Sequence, residues 1–198
     1  MIDERDRRLV LGNLVEAVTL LRECREFSTL VPEVRVNLAF ALPEARSASD
    51  VAAIEGRITV VCGYPYPAGT PGWGASDHMA RLILEARNHD PGIHAGINFK
   101  CDNAIIEVVR EYCADSGLSF GWIDRSHEPE EIIERDGASM PWKIKHLVAT
   151  YGHIPRVFFE GPGWGKEPLF VVLGPDATEV ALIAVEIARR FRAVSEAS

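Results

Sequence analysis

A guanidinium and an imidazole are the side chains of this sequence best placed to do chemistry. Arg57 heads an apolar run, His78 sits at the predicted start of a helix, and the Gly- and Pro-rich stretch GYPYPAGTPGWG lies between them. An always-charged fork and a titratable ring, delivered from two rigid elements to the ends of one loop, suit an anionic substrate. In the first turn of a helix the dipole favours a neutral imidazole, which can contact a leaving group or orient a phosphate. A capping or solvated histidine is the plainer alternative. Gly69, Gly72 and Gly74 let the loop backbone approach a ligand closely.

Other cationic and polar groups are candidates for holding the anion. Lys100 and Arg125 each follow an apolar run read as a strand, a position that lines ligand crevices in α/β folds. Singly, each also reads as a solvated surface charge. The segment GPGWGKEP fails as a nucleotide-binding P-loop: only three residues separate Gly161 from Gly165, and Glu167 follows Lys166 where Ser or Thr is required. A looser role survives, in which the amides of Gly163 and Gly165 and the Lys166 ammonium hold a phosphate. A hairpin loop with a solvated lysine fits equally. Asp77, Asp102, Asp124, Glu160 and Glu167 are oxygen donors of the type Mg²⁺ uses, with no spacing that singles one out. His89, His94, His127, His146 and His153 show no HxH or HExxH arrangement, which argues against a histidine-bound zinc.

The elements that must position these groups read as follows. Val10, Leu14, Ala17, Leu21 and Cys24 share one face of a helix over 4–26. Val34, Val36, Leu38, Phe40 and Leu42 alternate with Arg35, Asn37, Ala39 and Ala41, predicting a strand with one buried face. A second strand spans 57–63, after an irregular piece around 47–55. Ser76 or Asp77 caps a helix to about Asn88. Strand 93–101, a helix from Asn103 to Ser116-Gly117, and strand 118–124 come next. Glu128-Pro129 and Met140-Pro141 open two short helices ending near Gly137 and Gly152. Strands 155–160 and 169–174 are joined too closely to pair in parallel, because a parallel pair needs a longer crossover. Asp176 and Glu179 then start a final helix to about Val194 in the manner of a capping box. The pattern predicts one α/β domain over 1–198 with three layers and a mixed sheet.

Composition bounds the function. The 198 residues carry a formal net charge of -8, 47% hydrophobic and 25% charged residues. That acidity argues against a nucleic-acid surface, and no apolar run nears the roughly 18 residues of a membrane span. Cys24, Cys62, Cys101 and Cys113 form no CxxC pair, so they read as reduced thiols in a cytoplasmic protein.

Taken together, VPEVRVNLAFALPEA, DVAAIEGRI, GASDHMARLILEA, INFKCDNAIIEVV, IDRSHEP, ASMPW and GKEPLFVVLG resemble, in this order, the ThiN-type thiamine-phosphate synthase domain, from about Leu9 to Ala188. The resemblance implies a three-layer α/β/α sandwich with a mixed, largely antiparallel sheet, similar to the class II aldolase/adducin N-terminal domain but without its zinc histidines. It implies the joining of hydroxymethylpyrimidine diphosphate to hydroxyethylthiazole phosphate with release of pyrophosphate, in the presence of Mg²⁺. The arginine of GRI and the histidine of ASDH, here Arg57 and His78, become the expected catalytic pair. Asn37, Asp77, Lys100, Arg125, Gly163, Gly165 and Lys166 become expected substrate-binding residues. The partners implied are phosphorylated small molecules, a second copy of the chain, or a pyrimidine kinase domain. The alternative is a sensor domain that binds thiamine phosphate without turnover. Such sensors are expected to lack the arginine–histidine pair and to follow a DNA-binding segment, for which the stretch before the first strand is too short.

Overall fold

The alternating segment around Asn37 lies at the centre of the molecule. The computed structural model describes residues 3–125, 128–129, 139–161 and 167–197. The hydrogen-bonded part of the expected strand is β1 (Leu38–Ala41), and Val36 makes a single bridge to Ile58. The strands that follow in chain order are β2 (Val51–Ile54), β3 (Ile58–Val61), β4 (Tyr64–Pro67), β5 (Pro71–Trp73), β6 (Ala95–Lys100), β7 (Phe120–Ile123), β8 (Val157–Glu160) and β9 (Leu169–Gly174). Seven of them form one sheet in the order β5-β2-β1-β6-β9-β8-β7. Every neighbouring pair is antiparallel except β7 and β8. The expected antiparallel pairing across the short 161–168 connection is what β8 and β9 adopt.

Helices cover both faces, because a sheet this apolar must bury both. On one face lie α1 (Glu4–Glu23), α3 (Asn103–Ser116) and α5 (Ala177–Ala197). Leu14, Leu21, Ile105 and Val180 pack there against Leu38, Ile97 and Phe99. The other face carries α2 (Asp77–Arg87) and α4 (Ser139–Tyr151), whose Leu82, Ile83, Ile144 and Leu147 cover Ala39, Ala41 and Val171. The face of β1 opposite Leu38 is therefore buried too, contrary to the one-sided strand expected from its alternation. Small Ala39 and Ala41 leave room for α2 to sit close.

Several boundaries differ from expectation for identifiable reasons. The region around 47–55 is not irregular throughout. A one-turn 3-10 segment (Ala48–Asp50) is closed by a capping box between Ser47 and Asp50, and β2 follows it. The glycine- and proline-rich stretch contains β4 and β5, both at sheet margins, where proline costs no ladder bond. The expected strand 57–63 is β3, which pairs with β4 in a separate two-stranded hairpin rather than in the main sheet. Helix α3 is capped by Asp102 rather than Asn103, its carboxylate accepting the Ile105 amide at 3.0 Å. Asp176 does accept the Glu179 amide, but the Glu179 carboxylate pairs with Arg156 instead of closing the box. The helix expected between Glu128 and Gly137 lies mostly outside the described residues.

At Gly121 in β7 a side chain has no space: an added Cβ would stand 2.6 Å from Pro155 Cγ and 3.0 Å from the Tyr151 ring. Gly121→Ala is expected to lower unfolding free energy by about 1–3 kcal/mol through overpacking, read as a lower denaturation midpoint with an unchanged denaturant slope.

Candidate active site

The sequence hands Arg57 an unusual backbone. Gly56 and Arg57 follow one another in the left-handed region, at φ 67° and 68°, as the chain turns out of β2 into the hairpin. A non-glycine residue pays for that conformation, and such strain collects at functional sites. The Val36–Ile58 bridge then clamps this corner against the entry to β1. Arg57 Nη1 donates to the Val34 carbonyl at 2.6 Å. The half-buried guanidinium is thereby held beside Val34.

His78 arrives from the opposite direction. Ser76 is the N-cap of α2, its hydroxyl accepting the Met79 amide at 3.3 Å. His78 therefore lies in the first helical turn, with its ring exposed, while Met79 and Leu82 on the same helix point into the core. A polar seam under this turn ties three elements together. Asn98 Oδ1 in β6 accepts the Asn37 amide at 2.5 Å, and Asn37 Nδ2 donates to Ser76 Oγ at 2.5 Å.

These pieces enclose a cavity of about 260 Å³. Arg57 and His78 both line it, and so do Asn37 and Arg125. The structure thus brings four of the expected site residues to one place. Two others lie elsewhere: Asp77 pairs with Arg81 on the exposed side of α2, and Lys100 pairs with Asp102 at the start of α3. Gly163, Gly165 and Lys166 fall outside the described residues, although Glu160 and Glu167 on either side of that loop line the cavity. A larger, more open groove of about 580 Å³, with Arg46, Arg81 and Arg87 on its walls, includes neither Arg57 nor His78. The smaller cavity is the better candidate because it holds converging charged and amide groups above an apolar floor.

The cavity wall carries charges that the spacing of residues did not single out. Lys143 on α4 is only 1% exposed and its ammonium meets Glu160 at 2.5 Å. Arg125 is buried, with Nε and Nη2 donating to one oxygen of Glu128 at 2.9 and 2.7 Å. The other Glu128 oxygen accepts the Ser139 hydroxyl. Burial alone would raise the Glu128 carboxyl, yet the Ser139 and Arg125 hydrogen bonds, with the charges of Arg125 and Lys143, hold it below its ordinary 4.5. Lys143 had a signal in the sequence: it shares the stripe Met140, Ile144, Leu147, where a lysine is out of place unless paired. Asn98 had one as well, as an amide inside an apolar strand.

Nucleophilic thiol chemistry is absent from this wall. Burial pushes Cys101 up to about 12 and Cys113 up to about 11, values of inert structural thiols. Trp73, Trp122 and Trp142 are likewise outside the cavity lining. Among the described residues no group of three or more His, Cys, Asp or Glu side chains is arranged to hold a metal ion. No helix among them is long and apolar enough to cross a membrane.

A mostly antiparallel α/β sandwich with an arginine-bordered cavity near a helix N-terminus has the chemistry to suit a small anionic molecule. Residues 13–186 match the family of thiamine-phosphate synthase ThiN, and the chain belongs to that family. It is 36% identical over 184 residues to the thiamine-phosphate synthase ThiN of Methanothermobacter thermautotrophicus, covering 93% of this chain and 95% of that protein. It is also 36% identical over 176 residues to the bifunctional thiamine biosynthesis protein ThiDN of Methanocaldococcus jannaschii, spanning 88% of this chain but 39% of that longer protein. Among solved structures, the C-terminal domain of a phosphomethylpyrimidine kinase superposes with a TM-score of 0.86 at 31% identity, over 91% of this chain and 99% of that one.

The buried Arg125–Glu128 pair predicts a pH signature. Because the Glu128 value is lower in the folded chain, its contribution to stability is fully present above about pH 4.5 and is lost as pH falls through the folded value. Glu128→Gln is expected to destabilise the protein by roughly 3 kcal/mol at pH 6, since it leaves Arg125 buried without its counter-charge. The same variant should lose less further stability than the wild type between pH 6 and pH 3, as read from denaturant midpoints.

Proposed function

We propose that the chain is a thiamine-phosphate synthase, a transferase that joins hydroxymethylpyrimidine diphosphate to hydroxyethylthiazole phosphate. The observation that carries this reading is the convergence of Arg57 and His78, from a strained turn and a helix N-terminus, on one cavity with an apolar floor. The thiazole nitrogen forms its new bond to the pyrimidine methylene carbon as the bond from that carbon to the diphosphate oxygen breaks. The bonding pair leaves with pyrophosphate, so the catalytic need is stabilisation of charge on the departing oxygens. Arg57 supplies a fixed cation at the cavity mouth, and the first turn of α2 adds the positive end of its dipole next to His78. Lys143 and Arg125, neutralised by Glu160 and Glu128, set the field behind the ring-binding floor rather than offering open cations. No covalent intermediate on the protein is required.

Mg²⁺ belongs to the same proposal. The donor set fits an ion held chiefly by substrate phosphates, the usual habit of this cation. Glu167 and Glu160 border the cavity, but Glu167 accepts the Val34 amide at 2.8 Å and Glu160 is paired with Lys143, so each offers a remaining oxygen at most. When bound, the ion would neutralise part of the diphosphate charge. The phosphate-binding role read for Gly163, Gly165 and Lys166 is also proposed, supported by the position of their flanking residues. So are a cytoplasmic setting and a kinship of the sandwich with class II aldolase/adducin domains, the latter resting on the family resemblance alone.

Arg57→Gly separates catalysis from folding, because glycine adopts φ 68° without strain. Its expected effect is a loss of about 10²–10³ in kcat with a thermal midpoint equal to or above that of the wild type. Both substrates with Mg²⁺ should yield thiamine phosphate by mass spectrometry, and chelation should stop the reaction. Tight binding of thiamine phosphate by the wild type with no turnover would replace this reading with a product-binding sensor.

A further inference from the structure

Asn37 is 3% exposed and lines the cavity, yet its side-chain oxygen has no hydrogen-bond partner among the described residues. Buried carbonyl oxygens are rarely left in this state, and an orphaned one at a cavity wall marks a place where a ligand donor belongs. The amide is not free to turn away: its nitrogen is fixed to Ser76 Oγ, and its backbone nitrogen to Asn98 Oδ1. Around it the cavity is apolar, with Met79, Leu82 and Val171 each nearly fully buried. Arg57 and His78 stand nearer the exterior, half-buried and exposed respectively. The lining thus combines apolar side chains and internally paired buried charges with a guanidinium nearer the exterior. It matches a molecule with an uncharged aromatic ring at one end and a diphosphate at the other.

We propose that Asn37 reads the exocyclic amino group of the pyrimidine ring and so sets the preference for the aminopyrimidine diphosphate over its oxo counterpart. This rests on the synthase reading above. The amino group is the one uncharged N–H donor that either substrate carries, since the thiazole partner presents a ring nitrogen and a phosphorylated hydroxyethyl arm. Replacing amino by oxo inverts the ring edge at two adjacent positions: the donor becomes an acceptor, and the neighbouring ring nitrogen gains a proton. With the Asn37 nitrogen held by Ser76 Oγ, the amide presents an acceptor, which complements the amino donor and opposes the oxo acceptor. The ring is placed inside by this contact, which leaves the methylene carbon and diphosphate toward Arg57 and His78.

The test compares kcat/KM for the aminopyrimidine diphosphate and its oxo analogue, with thiazole phosphate saturating. The wild type is expected to favour the amino substrate by at least about 100-fold, as expected where a site is built around a substrate hydrogen bond. Asn37→Leu should bring that ratio to within about tenfold, and Asn37→Asp, which keeps an acceptor oxygen, should retain most of it. Asn37→Ala serves where the leucine variant does not fold, judged by its thermal midpoint. A wild type that uses both substrates equally, or a leucine or alanine variant with the full preference, overturns the assignment of Asn37 while leaving the synthase reading intact. A wild type that turns over neither substrate overturns the synthase reading, and this one with it.

Discussion

Three short side chains hold the site together. Asn37, Asn98 and Ser76 join the entry of β1, the middle of β6 and the first turn of α2 by hydrogen bonds between buried residues. Buried amides and hydroxyls must find partners, and their geometry tolerates little error. Once the seam forms, the register of β1 on β6 is fixed, α2 starts at one height above the sheet, and His78 has no other place to be. Apolar packing alone would permit α2 to slide along Ala39 and Ala41. The seam removes that freedom and leaves one buried amide oxygen of a cavity-lining residue without a partner among the described residues.

Arg57 is placed by a different device, local strain. The chain leaves β2 through two consecutive left-handed residues, and only the first is glycine. The bridge between Val36 and Ile58 and the guanidinium contact with the Val34 carbonyl hold the second in that state. Conformational cost is thus accepted at the residue with the greatest expected share in the chemistry. On the opposite wall, paired buried charges at Arg125–Glu128 and Lys143–Glu160 are rigid because neither partner can leave without stranding the other.

Much of the fold is legible in the residues, and the misses have physical causes. Periodicity finds α1 and β1, capping residues mark α2 and α3, and the six-residue runs of β6 and β9 are long enough to stand out without alternation. The antiparallel join of β8 to β9 follows from connection length alone. β2 escapes because VAAI is short and buried at every position, so it shows no alternation. β4 and β5 escape because their prolines read as loop, whereas at sheet margins proline is admissible. In the site, Arg57 and His78 are visible as residue types at the ends of a loop, and their segments within a family resemblance. Glu128 and Ser139 are not visible as site residues, because only three-dimensional pairing distinguishes a buried ion pair from solvated charges, whereas Lys143 is marked only by its place in an apolar helix stripe. Lys100 and Asp77 show the converse: each sits at a suggestive element end, and each makes an exposed ion pair outside the cavity.

The central claim is that one cavity positions a diphosphate between the guanidinium of Arg57 and the first turn of α2. A crystal structure of the protein soaked with thiamine phosphate and pyrophosphate tests it most directly. Pyrophosphate oxygens within hydrogen-bonding distance of Arg57 and His78, with the aminopyrimidine ring over Met79 and Leu82, is the result expected. Both ligands bound in the groove around Arg46, Arg81 and Arg87, with the Arg57–His78 cavity empty, would contradict it.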